Sequence, residues 1–387
     1  MIKRYRQEFL LEVTEGEGKG FLLSLLRLGL TVLSGIYGFL LKLRSCLYRC
    51  RLLKKKKLPG YTISVGNITV GGTGKTPAVA MLVEKLQQRK HKVVILSRGY
   101  KRVPRSRAPG EMGVVSRGKN ILMEVREAGD EPYLLAKNLP GIAVLVGKDR
   151  ISSGNYALTN FAVDTLVLDD GYQYWPLTRD LDIVVIDSAN PFGNGYLLPR
   201  GRLREPLESL ERGDLFLLTR ADQAGDLKGL REKLKKIKPG AKIVETVHNP
   251  DCLIDLKTGD SRELTGLSGK KVLALSSIGR PESFEKTLAG LGALLVGKRR
   301  FPDHHWYREA ELREVGEEAL RKGAEYIVTT EKDAVRIPPG TKLPRALLYL
   351  TIKLKIVQGE KVLERSCCRE FLESINYREN KMTTDIP

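Results

Sequence analysis

A glycine-rich segment near residue 70 constrains the fold more than any other part of the chain. It runs from Val65 to Pro77 with the sequence VGNITVGGTGKTP. The apolar run Tyr61 to Val65 predicts a buried strand before it, and apolar spacing from Ala78 to Gln88 predicts a helix after it. Strand, glycine-rich turn and helix together are typical of a phosphate-binding loop, because backbone N–H groups and the helix N-terminus then face the phosphates.

The residues of this loop are predicted to bind a nucleotide. Lys75 would reach the β- and γ-phosphates, and the Thr76 hydroxyl would bind Mg²⁺. Thr69 stands where the strict pattern has glycine, so the alternative is a plain turn with a chance Gly-Lys-Thr. The strand and helix flanks favour the phosphate loop, whose predicted nucleotide-binding residues are Thr69, Val70, Gly71, Gly72, Thr73, Gly74, Lys75 and Thr76.

The N-terminal region is apolar and then strongly basic. The segment from Phe21 to Leu41 is interrupted by Arg27, and eight basic residues without an acid follow from Lys42 to Lys57. Its uncharged run, Leu28 to Leu41, has only fourteen residues, whereas a spanning helix needs about 20. We therefore expect a helix in the membrane surface. The alternatives are a single span with a snorkelling Arg27 and a soluble helix docked on the core.

Strands and helices alternate after residue 60. Near-continuous apolar strands between helices predict an α/β protein with a P-loop NTPase-like parallel sheet covered by helices on both faces. Residues 101–120 are basic and glycine-rich and are predicted to form a mobile loop. Asp130 is predicted to be the N-cap of a short helix, and a strand is predicted over 242–247. The expected organisation is a membrane-associated helix with a polybasic segment over 1–58, a phosphate-loop domain over 59–248, and a smaller C-terminal α/β domain with an unassigned tail over 249–387.

Two predicted strands end in carboxylates that could hold Mg²⁺. One runs from Leu166 into Asp169 and Asp170, and the other ends at Asp187. Carboxylates at the ends of parallel strands face the nucleotide crevice. We assign the metal to Asp169 and Asp170, because the pair is followed by a glycine that leaves room. A solvated acidic turn is the alternative for the pair and the favoured interpretation of Asp187.

A histidine pair and an arginine-rich loop complete the candidates. His304 and His305 follow Asp303, and a histidine held by a carboxylate can take a proton from a hydroxyl. A loop pair without a role is the alternative. The segment 191–206 is rich in glycine and arginine, and arginine can grip phosphate with two parallel hydrogen bonds.

Eight short motifs follow one another along the chain: the loop at 65–77, SRGY at 97–100, GDEP at 129–132, DDGYQ at 169–173, RDLDI at 179–183, FGNG at 192–195, FPDHH at 301–305 and TEKDA at 330–334. Taken together and in this order, they resemble the lipid A 4′-kinases (tetraacyldisaccharide 4′-kinases) of Gram-negative bacteria. Thr69 also matches this family. Tyr174 is a departure, since the family commonly has histidine there, so the role of that histidine is not carried over. Beyond about residue 340 we assign no motif of the family, so the role of that segment is left open.

The resemblance implies a membrane-associated P-loop kinase with a second domain across a cleft. It implies ATP and Mg²⁺ as cofactors, and transfer of the γ-phosphate to the 4′-hydroxyl of a tetraacylated glucosamine disaccharide 1-phosphate, giving lipid IVA. In the family an aspartate of Gly-Asp-Glu-Pro acts with a histidine of Asp-His as the base, which matches Asp130 and His304. The remaining predicted catalytic residues are Lys75 and Asp170. The predicted substrate-binding residues are Tyr100, Arg150, Gln173, Asn194, Arg202 and Arg204.

Charge and cysteine content limit which partners and which cellular location are expected for the protein. The formal net charge of +20 suggests a polyanionic partner, but no stacking-aromatic or helix-turn-helix signature points to nucleic acid. We therefore expect the acylated disaccharide lipid, an anionic membrane surface and no obligate protein partner. Five cysteines without metal-type spacing fit a reducing cytoplasm, so the expected location is the cytoplasmic face of the bacterial inner membrane. A membrane-associated partitioning-type ATPase is the alternative function, although Val70 stands where that class has a second lysine.

Overall fold

The computed structural model describes residues 20–103 and 111–367. The described strands form one sheet: β1 (Tyr61–Gly66), β2 (Val93–Ser97), β3 (Gly113–Arg117), β4 (Ala143–Val146), β5 (Thr165–Asp169), β6 (Leu181–Asp187), β7 (Leu215–Thr219), β8 (Lys242–Asp255), β9 (Ser261–Arg262), β10 (Lys271–Ser276), β11 (Leu294–Arg300), β12 (Tyr326–Thr330) and β13 (Ala346–Gln358). The helices are α1 (Phe21–Arg49), α2 (Lys75–Gln88), α3 (Val125–Ala128), α4 (Asp130–Asn138), α5 (Arg150–Asn160), α6 (Leu227–Ile237), α7 (Pro281–Gly290), α8 (Glu309–Arg321) and α9 (Glu331–Ala334).

The sheet is continuous and mixed, with the strand order β11-β10-β12-β13-β8-β7-β6-β1-β5-β2-β4-β3 and β9 beside β8. Apart from β3, β9 and the β8–β13 pair, neighbouring strands are parallel, as predicted. Strand β3 adds an antiparallel edge to β4. The central strands β8 and β13 are antiparallel to each other. Because each is parallel to its other neighbour, the two halves of the sheet run in opposite directions.

This arrangement makes two lobes whose strand ends face each other. The N-terminal lobe contains β1 to β7 with the start of β8, and the C-terminal lobe contains β10 to β12 with the start of β13. Strand β8 leaves the first lobe and β13 returns to it, so the carboxyl ends of both parallel sets point into the space between the lobes. Side chains from loops of both lobes can therefore meet there.

The link between the lobes differs from the predicted strand pattern. We expected a strand over 242–247, but β8 continues to Asp255 because β13 pairs with it over its second half. The boundary proposed between residues 248 and 249 lies inside this strand. After β13, the helical segment 360–367 packs its Leu363 and Cys367 into the core beside α2. The domain limits stay a proposal.

Two local expectations are wrong. Asp130 is not an N-cap: Gly129 occupies that position with φ 91°, and Asp130 is the first residue of α4. Its carboxylate is therefore available for other partners. Residues 113–117 form β3 and not a mobile loop, since Val114 and Val115 extend the sheet beside β4, while the part of that loop at 104–110 lies outside the described residues.

Helix α1 is longer than its uncharged run suggested. It has 29 residues, about 43 Å at 1.5 Å per residue, and is long and apolar enough by composition to cross a membrane. Its apolar side chains are mostly exposed, including Leu28, Val32 and Phe39 at 61%, 56% and 65%. Only Ser34 and Gly38 are buried, on the face that meets the N-terminal lobe.

Candidate active site

The phosphate loop joins β1 to α2 at the carboxyl edge of the N-terminal lobe. Gly71 and Gly74 have φ of 109° and 87°, in the left-handed region that favours glycine, and Gly74 caps α2. The Asn67 amide donates to the Thr69 carbonyl at 2.7 Å and to the Thr73 hydroxyl at 2.9 Å. These bonds hold the loop open around the N-terminus of α2, where an anion binds favourably.

The head of the phosphate loop is paired with the arginine-rich segment. The Val70 N–H donates to the Arg202 carbonyl at 2.8 Å, and the Arg204 N–H donates to the Ile68 carbonyl at 2.7 Å. Thr69 forms an antiparallel bridge with Leu203 between these two bonds. The backbone of Arg204 is therefore positioned relative to the phosphate loop.

Asp170 lies at the centre of a charged cluster. Its Oδ1 is 2.8 Å from an Arg204 guanidinium nitrogen and 3.5 Å from Lys75 Nζ. The Asn67 amide oxygen accepts from Lys75 at 3.2 Å and from Arg204 at 3.3 Å. Burial opposes ionisation of Asp170, but the neighbouring Lys75 and Arg204 charges lower its pKa to about 2. Asp170 is thus a carboxylate at neutral pH.

Asp169 differs from its neighbour. The register of β1 and β5 sets it beside Val65, and the Ser97 hydroxyl donates to its Oδ2 at 2.9 Å. Burial raises the pKa of Asp169 to about 7, together with the negative charges of Glu131 and Asp170. Carboxylates that crowd in this way favour a nearby cation, and carboxylate and hydroxyl oxygens are the donors that Mg²⁺ prefers. The predicted ligands Thr76, Asp169 and Asp170 therefore fit Mg²⁺ chemically.

The two lobes meet at Asp130 and His304. His304 Nδ1 lies 2.9 Å from Asp130 Oδ2, and Arg336 Nε lies 3.3 Å from the same oxygen. His304 has φ 62°, a left-handed conformation rare outside glycine, in the loop after β11. The exposed ring of Tyr100 meets the imidazole of His304 edge-on, with centroids 5.9 Å apart. The N-terminal lobe thus supplies the carboxylate and the C-terminal lobe the imidazole.

His305 points to a different partner. Its Nε2 bonds Glu311 at 2.8 Å, and its ring stacks on Phe301 with centroids 4.8 Å apart. This histidine is bonded to helix α8 of its own lobe, whereas His304 is hydrogen-bonded to Asp130 of the N-terminal lobe.

A comparison with protein families covers nearly the whole described chain. A model of the family described as Tetraacyldisaccharide-1-P 4′-kinase matches residues 26–369. The chain belongs to this family. The family, predicted from the ordered motifs, and the α/β fold class, predicted from the alternating strands and helices, are therefore confirmed, and the partitioning-type ATPase is not favoured.

Relatives of this kinase family cover most of the chain. The tetraacyldisaccharide 4′-kinase of Anaeromyxobacter sp. (strain Fw109-5) is 45% identical over 325 residues, which is 84% of this chain and 86% of that protein. The one from Syntrophus aciditrophicus is 40% identical over 335 residues, or 84% and 88%. A crystal structure of LpxK from Aquifex aeolicus in complex with ATP is similar with a TM-score of 0.69 and 32% identity, covering 89% of this chain and 99% of that one.

The predicted substrate residues of this kinase lie around the cleft in different ways. Gln173 donates to the Asn67 carbonyl at 2.8 Å, beside the phosphate loop. Arg150 is only 4% exposed, and its guanidinium stacks over the Tyr174 ring. It also interacts electrostatically with Asp170 and Asp169.

Two further residues of this set belong to the arginine-rich segment. Asn194 donates to the Arg200 carbonyl at 3.0 Å and accepts from the Tyr196 N–H at 3.2 Å. The Arg202 side chain packs against Gly193. Asn194 therefore stabilises the conformation of the arginine-rich segment through hydrogen bonds to its backbone, whereas the Arg204 side chain contacts Asp170. The roles assigned to all these residues stay predictions.

Sequence reasoning missed several residues of the kinase site. Asn67 and Glu131 lie inside recognised motifs, yet we assigned them no role. Glu131 pairs with Lys332 at 3.3 Å, and Lys332 is the main reason that its pKa is lowered, with smaller effects of Lys75 and His304. Glu131 therefore interacts electrostatically both with Lys75 at the phosphate loop and with His304 of the opposite lobe. Position inside a motif was the signal that could have identified it.

Asp187 also departs from its favoured interpretation. It is 4% exposed and not a solvated turn. Arg220 of the N-terminal lobe lies 2.7 Å and Arg280 of the C-terminal lobe 2.8 Å from its Oδ2. Arg220 also donates to the Gly72 carbonyl at 2.9 Å. Asp187 therefore joins the phosphate loop to the opposite lobe through two arginines.

Proposed function

We propose that the protein transfers the γ-phosphoryl group of ATP to the 4′-hydroxyl of a tetraacylated glucosamine disaccharide 1-phosphate, giving lipid IVA and ADP. The observation that carries this proposal is the Asp130–His304 pair, with Glu131 within electrostatic reach of both His304 and Lys75. A base and a phosphate loop then face the same space between the lobes. That arrangement suits phosphoryl transfer to a hydroxyl.

The base in this proposal is His304. Its Nδ1 is held by Asp130, which leaves Nε2 to accept the proton of the sugar hydroxyl. The bond from O4′ to the γ-phosphorus forms while the bond from that phosphorus to the β,γ-bridging oxygen breaks, and ADP leaves. Asp130 fixes the imidazole tautomer and supports the imidazolium, and Arg336 contacts the same carboxylate oxygen of Asp130.

The N-terminal lobe stabilises the negative charge that develops on the transferred group. Lys75 and Arg204 supply positive charge next to the phosphate loop, and backbone N–H groups of the loop add partial charges. Thr76, Asp169 and Asp170 would hold Mg²⁺. When bound, this ion neutralises phosphate charge. Asp170 orients Lys75 and Arg204, because it lies between them.

The lipid substrate would lie along the arginine-rich segment and the loops beside it. Tyr100, placed at the edge of His304, suits contact with the sugar that carries the reacting hydroxyl. Gln173 and Asn194 offer amide groups. Arg150, Arg202 and Arg204 offer guanidinium groups that match phosphate geometry.

We propose that helix α1 and the basic segment after it hold the kinase at an anionic membrane surface on the cytoplasmic face of the bacterial inner membrane. The apolar side chains of α1 are mostly exposed, and the basic residues up to Lys57 follow directly. Acyl chains of the substrate can stay in the lipid phase while its sugar reaches the cleft. We infer no nucleic-acid partner and no obligate protein partner.

The test is a direct assay of the full chain with ATP, Mg²⁺ and the tetraacylated disaccharide 1-phosphate dispersed in detergent. The expected result is a product heavier by one phosphate, with the new group on the 4′-oxygen by mass spectrometry and NMR. An analogue that has hydrogen in place of the 4′-hydroxyl should give no product. ATP hydrolysis without phosphate on the lipid would instead support a switch-type ATPase.

A further inference from the structure

Helix α1 is attached to the loops that carry the candidate active site. Its buried face carries Ser34 and Gly38, two small residues one turn apart, which let the helix approach the arginine-rich segment closely. A Cβ added to Gly38 would lie 2.9 Å from a Leu197 methyl group. The Ser34 hydroxyl lies 2.9 Å from the Leu197 carbonyl oxygen and accepts from the Arg200 N–H at 3.0 Å.

Tyr37 extends this attachment to Arg204 itself. Its hydroxyl donates to the Arg204 carbonyl at 2.9 Å. On its other side, the Arg204 N–H donates to the Ile68 carbonyl at 2.7 Å. The backbone of Arg204 is therefore held between the phosphate loop and α1, while its guanidinium bonds both carboxylate oxygens of Asp170, at 2.8 and 3.1 Å.

The C-terminal part of α1 makes a second contact with a site loop. Arg44 donates to the Gln173 carbonyl at 3.3 Å, and the Tyr48 ring lies 5.3 Å from that of Trp175. Gln173 in turn bonds the Asn67 carbonyl beside the phosphate loop. The helix therefore supports two separate loops of the cleft, which a helix serving only as a lipid anchor does not need.

We propose that Tyr37 is a positioning residue for phosphoryl transfer, which acts by setting Arg204 against Asp170. The inference rests on the proposed function, in which Arg204 stabilises the transferred phosphate. Removing the Tyr37 hydroxyl leaves the Arg204 carbonyl without this partner, so the backbone relaxes and the guanidinium moves. Small misplacements of a group that stabilises a transition state lower kcat.

The test compares Tyr37→Phe with the wild-type full chain, using detergent-dispersed lipid so that membrane binding is not limiting. We expect kcat to fall about five- to thirtyfold, because the partly buried Arg204 carbonyl loses a hydrogen bond that fixes its backbone. The KM for ATP should change by less than about twofold. Thr31→Val is the matched control, because its hydroxyl bonds the Arg27 carbonyl within the same helix. It should behave as the wild type.

A double-mutant cycle distinguishes an effect of Tyr37 on the position of Arg204 from a general effect on the stability of the protein. In an Arg204→Ala background, Tyr37→Phe should lower kcat by less than about twofold further, since its effect passes through Arg204. Losses that multiply, or a Tyr37→Phe enzyme indistinguishable from Thr31→Val, would overturn the proposal. If thermal unfolding shows that the Tyr37→Phe protein is not folded, the same test is made with Ser34→Ala, which removes a hydroxyl that contacts the same loop.

The controls also separate this inference from the proposed function. A wild-type protein that binds ATP but never phosphorylates the lipid would contradict the function. An active wild type with a fully active Tyr37→Phe variant would contradict the inference alone. Sedimentation with anionic vesicles should be equal for Tyr37→Phe and the wild type, because the substitution leaves the exposed apolar face of α1 unchanged.

Discussion

His304 Nδ1 and Asp130 Oδ2 lie 2.9 Å apart, although 174 residues separate them in the chain. Asp130 begins α4 in the N-terminal lobe, and His304 follows β11 in the C-terminal lobe. They meet because the two halves of the sheet run in opposite directions, so that the carboxyl ends of both sets of parallel strands face the same space.

This pair is expected to act as one unit. We predict that Asp130→Ala and His304→Ala each lower kcat by roughly 10² to 10⁴, the range for loss of general base catalysis. The double variant should be little worse than either single one, because each removes the same function. Steady-state kinetics on the lipid substrate measure all three, and losses that multiply would argue against a dyad.

His305 offers a matched control within the same loop. Its imidazole is bonded to Glu311 and stacked on Phe301, away from Asp130. We therefore expect His305→Ala to change kcat by less than about tenfold, well below the range for a lost base. A severe loss in this variant beside a mild one in His304→Ala would assign the base to the other histidine.

Lys75 should be required for transfer and not for folding. It lies next to Asp170 and Asn67, and loss of one charged contact to the transferred phosphate should lower the rate on the order of 10² to 10³ in Lys75→Ala. Lys270→Ala, which removes an exposed lysine paired with Glu325 in the other lobe, is the control and should keep full activity. Near-full activity in a folded Lys75→Ala protein would contradict the phosphate-loop assignment.

The exposed face of α1 should determine membrane binding independently of catalysis. Changing Leu28, Val32 and Phe39 together to glutamine removes three exposed apolar side chains and leaves Ser34 and Tyr37 intact. We expect affinity for anionic vesicles to fall at least about tenfold, because each buried apolar side chain contributes about 1.5 to 3 kcal/mol. Activity on detergent-dispersed lipid should be retained.

A second triple variant controls for the general loss of exposed apolar surface. Leu294, Leu320 and Val357 are also exposed, at 53%, 46% and 52%, but lie outside α1. Their replacement by glutamine should leave vesicle sedimentation unchanged. Equal loss of sedimentation in both triple variants would mean that α1 has no special part in membrane binding.

His248 should make folding stability depend on pH. Burial lowers its pKa to about 3, helped by the Arg220 and Lys332 charges, and its buried Nε2 has no hydrogen-bond partner among the described residues. Between pH 6.5 and 3 the unfolded chain therefore binds a proton that the folded chain does not. The free energy of unfolding should fall as pH falls through this range, by up to about 1.4 kcal/mol per pH unit from this group.

The measurement is urea unfolding at several pH values between 7.5 and 5, expressed as a difference between the wild type and His248→Gln. The variant should show the shallower decline at acid pH, because glutamine does not titrate. Parallel stability curves for the two proteins would show that His248 does not contribute. The comparison of slopes removes the contribution of other titrating groups.

The local pattern of the chain determined most of the elements and the family. The phosphate loop, α2 and the strands of the N-terminal lobe follow from glycine, Lys75 and Thr76 between apolar runs, since such signals depend on neighbours in sequence. The pairing of Asp130 with His304 came from the family resemblance. Neither composition nor spacing could have paired them, because no local rule relates residues so far apart in the chain.

Only the tertiary structure decided what depends on distant contacts. Strand β8 is long because β13 pairs with it, Asp187 is buried because arginines from both lobes surround it, and the pKa values of Asp169 and Asp170 diverge because their charged neighbours differ. The contact of Tyr37 with Arg204 is of the same kind. Such contacts arise when separate elements pack together, and burial and charge at a site are properties of that packing and not of the sequence nearby.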